Sequence, residues 1–277
     1  MLDRITTPVA QELDLMEELV ASESSCGLAS ADAVARHIWR GGGKRMRPAL
    51  FLLASRAIAG DTFDANRSEL VRIAAAIELV HAASLLHDDV VDESAERHGG
   101  PSANASFGNR TSVLVGDLLW CLASELIVGT GKQRLLGTLV GAAREMTLGE
   151  IMESTEGTTR ESYMSMIERK TASLFSAAGS SAAIALEAGS TAEKALAEYG
   201  RDLGVAFQIA DDVMDMAHDS MAGGPIAGVR ILGGRGPALD LAREHAEAAK
   251  TRLSQLPMGR ESDSLAELAD YAVARVI

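Results

Sequence analysis

The sequence predicts an all-α protein, and two observations carry that prediction. Hydrophobic residues fill 47% of its 277 positions, yet aromatic residues fill only 4%. A core of Ala, Leu, Ile, Val and Met favours helices, because Ala and Leu are strong helix formers and β-rich folds draw on aromatic and β-branched side chains. Apolar residues also recur at helical spacing through most of the chain, and no convincing strand pair interrupts them. The absence of a low-complexity linker or charge block predicts one domain across residues 1–277.

The elements follow in order. "TPVAQELDLMEELVASE" is amphipathic over 7–23, with Pro8 near its start where a proline is tolerated. A short helix over 31–40 leads into the glycine-and-cation loop "RGGGKRMRP", and Pro48 opens the next helix, "PALFLLASRAIAG". A long helix is expected over 68–96, then helices over 110–128, 132–156, 160–188 and 191–220. "ALDLAREHAEAAKTRLSQL" (238–256) and "SDSLAELADYAVARVI" (262–277) complete the set.

A formal net charge of −13 argues against nucleic acid, whose phosphates a chain without a basic face repels. It leaves room for a small phosphorylated molecule if local cations or metal ions offset the charge. Cys26 and Cys121 are too few and too far apart for a disulfide framework or a zinc site, and are expected to be buried thiols. The first residues carry acids and no apolar signal-peptide core, and "SVLVGDLLWCLASELIVG" is interrupted by Asp117 and Glu125. No membrane span and a cytoplasmic protein are therefore expected.

Function is concentrated in two acidic clusters. "HDDVVDESAE" places Asp88, Asp89 and Asp92 at the end of the long helix, and "DDVMD" places Asp211, Asp212 and Asp215 before a Gly-Gly-Pro stop. Carboxylates at a helix C-terminus face the negative end of the backbone dipole, at a cost of a few tenths to about 1 kcal/mol each. A missing cation resolves the conflict. Residues four apart lie about 40° apart on one helix face, so Asp88 and Asp92 share a face, as do Asp211 and Asp215. Oxygen-only ligands suit a hard cation such as Mg²⁺, which bridges carboxylates to substrate phosphates. A third motif, "GGGKRMRP", combines glycines that permit close approach with Lys44, Arg45 and Arg47 as phosphate donors. Its glycine spacing is not that of a Walker loop. Taken singly, each motif reads better as a solvated surface feature.

Together, "GGGKRMRP", "IELVHAASLLHDDVVDESAERHG", "ERKTASLF" and "FQIADDVMD" resemble the trans-isoprenyl diphosphate synthase (polyprenyl synthetase) family. The stretch after the first acidic motif is similar to the long-chain, octaprenyl-type branch. The resemblance implies an antiparallel helical bundle around a central cavity, usually a homodimer. It implies condensation of an allylic diphosphate, farnesyl or geranyl, with isopentenyl diphosphate and release of pyrophosphate. It also implies three Mg²⁺ ions: Asp88 and Asp92 hold two, and Asp211, with Asp215, the third. Asp89 and Asp212 support them. Lys170 and Arg97 contact the allylic diphosphate, with Thr171 and Gln208 nearby; Lys44, Arg47, His81 and His98 serve the isopentenyl diphosphate side.

Ala83 and Ser84 lie about one turn below Asp88, where short-chain members carry a bulky aromatic. Their small size predicts a product longer than fifteen carbons, with Ala74, Ala75 and Ala76 extending a narrow stretch deeper. Leu139, Ala143 and Met146 are candidates for a lower floor. The chain departs from the family in having His98 where a second Arg is usual. Gly224 stands where a Lys follows the second acidic motif, and the region 220–236 is shortened. Arg230 or Arg235 could supply a replacement charge only if that region folds inward. Two alternatives accompany this reading: a weakly active or regulatory subunit of a heteromeric synthase, and a class I terpene cyclase, which has no need for the basic loop.

Overall fold

A computed structural model describes residues 1–40, 42–97, 99–155, 159–218, 225–254, 256 and 262–276. The described residues are almost entirely helical. After the short α1 (Leu2–Thr6) and a 3₁₀ turn come α2 (Ala10–Glu23), α3 (Ala29–Arg40), α4 (Met46–Ala59) and α5 (Phe63–Val91). Then follow α6 (Ala103–Phe107), α7 (Asn109–Val128), α8 (Gln133–Thr155) and α9 (Arg160–Ile167). The chain continues through α10 (Ser173–Ala185), α11 (Gly189–His218), α12 (Pro225–Ile231), α13 (Arg235–Leu253) and α14 (Ser262–Ala274).

Helices that are apolar all round lie at the centre. Ala49–Ala54 of α4 and Leu174–Ala185 of α10 are almost wholly buried, as is 73–77 of α5. A helix with no polar face has nowhere else to go. The remaining helices surround these and bury one face each.

α5 and α7 run antiparallel. His87 packs on Gly116, where a Cβ would collide with its ring, and its Nε2 lies 3.1 Å from the Val113 carbonyl. At the other end Lys132, just past α7, pairs with Glu69 and donates to the Ala185 carbonyl at 2.6 Å.

Several expectations change. The long helix starts and stops five residues earlier than expected, at Phe63 and Val91, because Glu93 adopts a left-handed conformation (φ 52°) that a helix cannot propagate. Asp92 caps it, donating its backbone N–H to the Asp88 carbonyl at 2.8 Å. The helix expected over 160–188 is divided by a π-helical turn at Glu168–Ala172. A two-residue antiparallel pair, β1 (Glu96–Arg97) with β2 (Gly100–Pro101), appears where no strand was expected. Tight turning at Gly99 (φ 78°) allows it. Both cysteines are exposed rather than buried: Cys121 stands on the outer face of α7 and Cys26 in the turn before α3.

Candidate active site

A cavity of about 1350 Å³ opens among α4, α5, α7, α8 and α11, and nearly all the predicted site residues line it. α5 and its C-cap contribute His81, Ala83, Ser84, Asp88, Asp89 and Asp92; the loop before α4 contributes Lys44, and the first turn of α4 contributes Arg47. The π-turn brings Lys170 and Thr171, α11 brings Gln208, Asp211 and Asp215, and Arg97 stands beside Asp89. Asp92 and Asp215 are exposed at the rim. His98 and Gly224 lie outside the described residues.

The first acidic motif is under-compensated. Asp88 is half-buried, and burial together with the neighbouring Glu150 pushes its carboxyl up to about 7, against the opposing charges of Lys170 and Arg97. Lys170 is drawn away: its Nζ lies 2.7 Å from Glu150 and also pairs with Glu153, and these carboxylates raise it despite its burial. Gly149 makes that geometry possible. A Cβ there would stand 2.8 Å from the Lys170 Cα, so only glycine lets α8 approach the π-turn this closely. π-turns, which insert one residue into a helix, tend to sit at functional sites. Arg97 clamps the buried Asp89, with Nη2 2.6 Å and Nε 2.7 Å from Oδ1. The other oxygen of Asp89 is buried with no partner.

At the second motif the protein supplies its own cations. Arg275, at the end of α14, donates from Nη1 to Asp211 Oδ1 at 2.6 Å and from Nη2 to the Phe207 carbonyl at 2.6 Å. Its guanidinium lies 3.8 Å from the centroid of the Phe207 ring. Lys44 Nζ is 4.0 Å from the same Asp211 oxygen; burial and Arg275 lower its pKa. Neither Arg230 nor Arg235 reaches the cavity wall: Arg230 is exposed and Arg235 donates to the Val276 carbonyl. The cation paired with the second motif is instead Arg275, 64 positions along the chain from Asp211.

Asp212 is not on the cavity wall. It is 4% exposed, accepts from Tyr163 Oη at 2.6 Å and from Gln208 Nε2 at 2.8 Å, and burial pushes its carboxyl up to about 7 despite those bonds. Gln208 in turn accepts from Thr171 Oγ1 at 2.7 Å. The chain Tyr163–Asp212–Gln208–Thr171 thus fixes the wall behind the site, with Asp212 bracing it from within.

The basic loop divides its labour. Arg47 is half-buried, stacks over Phe175 at 4.6 Å and keeps a buried Nε without a partner; desolvation lowers its pKa to about 10. A guanidinium with a buried, spare donor is suited to an anion. Arg45, which also lines the cavity, is engaged as a latch. Its backbone is left-handed (φ 46°), and it pairs at 2.9 Å with Glu17 of α2 and at 2.9 Å with the buried Glu78 of α5. Those pairs hold a strained backbone that turns Lys44 and Arg47 to the cavity.

Ala143 and Met146 of α8 line the apolar part of the cavity with Val140, but Leu139 faces the core. Ala74, Ala75 and Ala76 are fully buried and do not extend the cavity. Sequence reasoning missed Glu150, Glu153, Tyr163, Arg275 and Trp120, which also lines the cavity. Only the Glu150–Glu153 pair, three apart on one helix face, left a local signal.

Among the described residues no three His, Cys, Asp or Glu side chains converge closely enough to cage an ion alone. Carboxylates spread around a rim, with an orphaned oxygen on Asp89 and an orphaned donor on Arg47, suit a hard cation that takes its other oxygens from phosphate and water.

Carboxylates and basic side chains gather at one end of the cavity and small apolar side chains line the rest, an arrangement suited to an amphipathic phosphorylated molecule. A model of the polyprenyl synthetase family matches residues 29–262. An octaprenyl diphosphate synthase from Haemophilus influenzae is 40% identical over 223 residues, covering 78% of this chain and 66% of that protein. One from Escherichia coli is 35% identical over 265 residues, covering 92% and 80%. In three dimensions the chain superposes on a polyprenyl synthase from Caulobacter crescentus complexed with calcium and isoprenyl diphosphate. That match has a TM-score of 0.88 and 29% identity, covering 100% of this chain and 98% of the other. A decaprenyl diphosphate synthase from Rhodobacter capsulatus matches with a TM-score of 0.86 and 30% identity, each chain covered in full. This chain belongs to the polyprenyl synthetase family and is a trans-prenyltransferase.

Proposed function

We propose that the protein extends an allylic diphosphate, farnesyl or geranyl, with isopentenyl diphosphate to an all-trans polyprenyl diphosphate of more than fifteen carbons, releasing pyrophosphate. The observation that carries this reading is a single cavity lined by both acidic motifs, the basic loop and a run of small and apolar side chains. The names of the relatives, octaprenyl and decaprenyl diphosphate synthases, point to the long-chain end.

Asp88, Asp92 and Asp211, with Asp215, would hold Mg²⁺, three ions with substrate bound. When bound, the ions absorb the negative charge that grows on the leaving diphosphate as the allylic C–O bond breaks. The chain's own groups do the rest. Lys170, with Arg97 beside it, faces the allylic diphosphate. Lys44, Arg47 and His81 bind isopentenyl diphosphate, and His98 is assigned to the same side. The brace through Asp212 keeps Gln208 and Thr171 in place. Both acidic motifs and the basic loop share this cavity, which favours a working synthase over a regulatory subunit or a terpene cyclase.

We read the protein as a single-domain, cytoplasmic homodimer that needs no nucleic acid and spans no membrane. α7 is long and apolar enough to cross a bilayer, and so is the stretch 46–91, but 72% of the most apolar window of 46–91 is buried inside the bundle. On α7, Leu114 (57%), Leu118 (37%) and Val128 (62%) form an exposed apolar stripe that suits a second copy of the chain.

The test is incubation with farnesyl diphosphate, radiolabelled isopentenyl diphosphate and Mg²⁺, then chromatography of the dephosphorylated products. A ladder beyond fifteen carbons that disappears with EDTA is expected; no incorporation from farnesyl, geranyl or geranylgeranyl primers would overturn the reading.

A further inference from the structure

The space one turn below Asp88 is open on one wall only. Ala83 and Ser84 are small, but α7 faces them, and its register is set by two contacts. Between them α5 advances from Glu69 to His87 while α7 retreats from just past its end at Lys132 to Gly116. The two helices rise by equal steps per residue, so Ala83 and Ser84 stand level with positions 119–120. Leu119 is fully buried in the core. Trp120 is half-buried and lines the same cavity as Ala83 and Ser84.

We propose that Trp120 is a specificity-determining residue for product length. The inference rests on the synthase reading above. An aromatic ring stands at the level where sequence reasoning found only small side chains, and it comes from α7 rather than from α5. The growing hydrocarbon tail passes between the Trp120 indole and Ala83 and Ser84 to reach Ala143, Met146 and Val140 on α8. Val140, at that far wall, is 46% exposed in the single chain. The narrowing at Trp120 is what resists each further isoprene unit, because packed side chains yield little to added volume.

The test compares product ladders of the wild type, Trp120→Ala, Ser84→Phe and the double variant, with melting curves to confirm folding. Trp120→Ala is expected to move the most abundant product upward by one or more isoprene units. Ser84→Phe, which fills the gap from the opposite wall, should move it downward. In the double variant the ladder should return toward wild type, because the space filled on α5 is vacated on α7. Trp120→Leu keeps an apolar side chain and should give a smaller upward shift, so the inference stays testable if the alanine variant fails to fold. A ladder unchanged in a folded Trp120 variant, or a double variant indistinguishable from Ser84→Phe, would overturn the inference. A wild type that makes no product at all would overturn the synthase reading, and this inference with it.

Discussion

The two acidic motifs are near copies in sequence, but their leading carboxylates, Asp88 and Asp211, are compensated differently. At the first, Asp88 faces Glu150, and Lys170 is claimed by Glu150 and Glu153, so burial and like charge push the Asp88 carboxyl up to about 7. At the second, Arg275 sits 2.6 Å from Asp211 and Lys44 adds a more distant charge. The first site is short of positive charge and the second is half-supplied by the protein. The DDxxD pattern fixes which face the carboxylates share; the charges contributed by distant helices decide how much cation each still requires.

The largest expected effect comes from breaking the under-compensated side. Asp88→Ala removes a carboxylate assigned to hold the cation that takes up the charge of the leaving diphosphate, and groups that stabilise developing charge are worth about 10²–10³ in rate. Single-turnover kinetics should show the loss in the chemical step, with the melting temperature unchanged or raised, because a buried carboxylate facing Glu150 is gone. An activity within a few-fold of wild type would mean the first motif is not where the charge is absorbed.

Arg275→Ala probes the other side. A hydrogen bond to a charged group contributes about 1.5–3 kcal/mol, so losing the Arg275 clamp should cost roughly ten- to a hundredfold in kcat/KM. Arg275→Lys, which keeps the charge but not the fork onto Asp211 and the Phe207 carbonyl, should recover only part of it. If titration calorimetry finds Mg²⁺ binding with a diphosphate analogue unaltered in Arg275→Ala, the contrast between the motifs does not depend on this residue.

What was legible in the sequence follows from the range of the interactions involved. Helical periodicity is local, so the all-α class and most helices could be read directly. The end of α5 could not, because a left-handed Glu93 breaks the helix inside a stretch whose composition still favours one. The π-turn at Glu168–Ala172 was hidden too, since one inserted residue leaves the apolar pattern intact. In the site, Asp88, Asp92, Lys44 and Arg47 stood out because charges beside apolar runs are conspicuous. Arg275 did not: nothing local connects it to Asp211, 64 positions away. Trp120 was masked in another way, as one more apolar residue in a stretch resembling a membrane span. The roles of Asp212 and Arg45 are set by partners on other helices, Tyr163 and Glu78, which no spacing rule pairs with them.

The smallest effect sharpens the comparison from outside the site. Asp202 lies on the same helix as Asp211, and it is fully compensated. Burial alone would raise its carboxyl, but a hydrogen bond from His245 Nδ1 at 3.3 Å and the charges of Arg201 and Arg252 hold it below the ordinary carboxylate range. A carboxyl depressed in the folded state adds stability above its unfolded pKa of about 3.9, and that stability is lost as the pH falls through the folded value. Asp202→Asn should therefore lower the melting temperature at pH 7 by roughly a few degrees. The gap from wild type should close as the pH is taken down through the carboxylate range, and turnover should be unaffected. Asp88 has the opposite sign. Its raised pKa means that, without metal, the folded state loses stability as the pH rises from about 4 toward 7, and Asp88→Asn should remove that loss. Melting curves of the two Asn variants across that range should therefore diverge from wild type in opposite directions. A common direction would mean that the charge supplied around each carboxylate, and not only its position on the helix, had been misread.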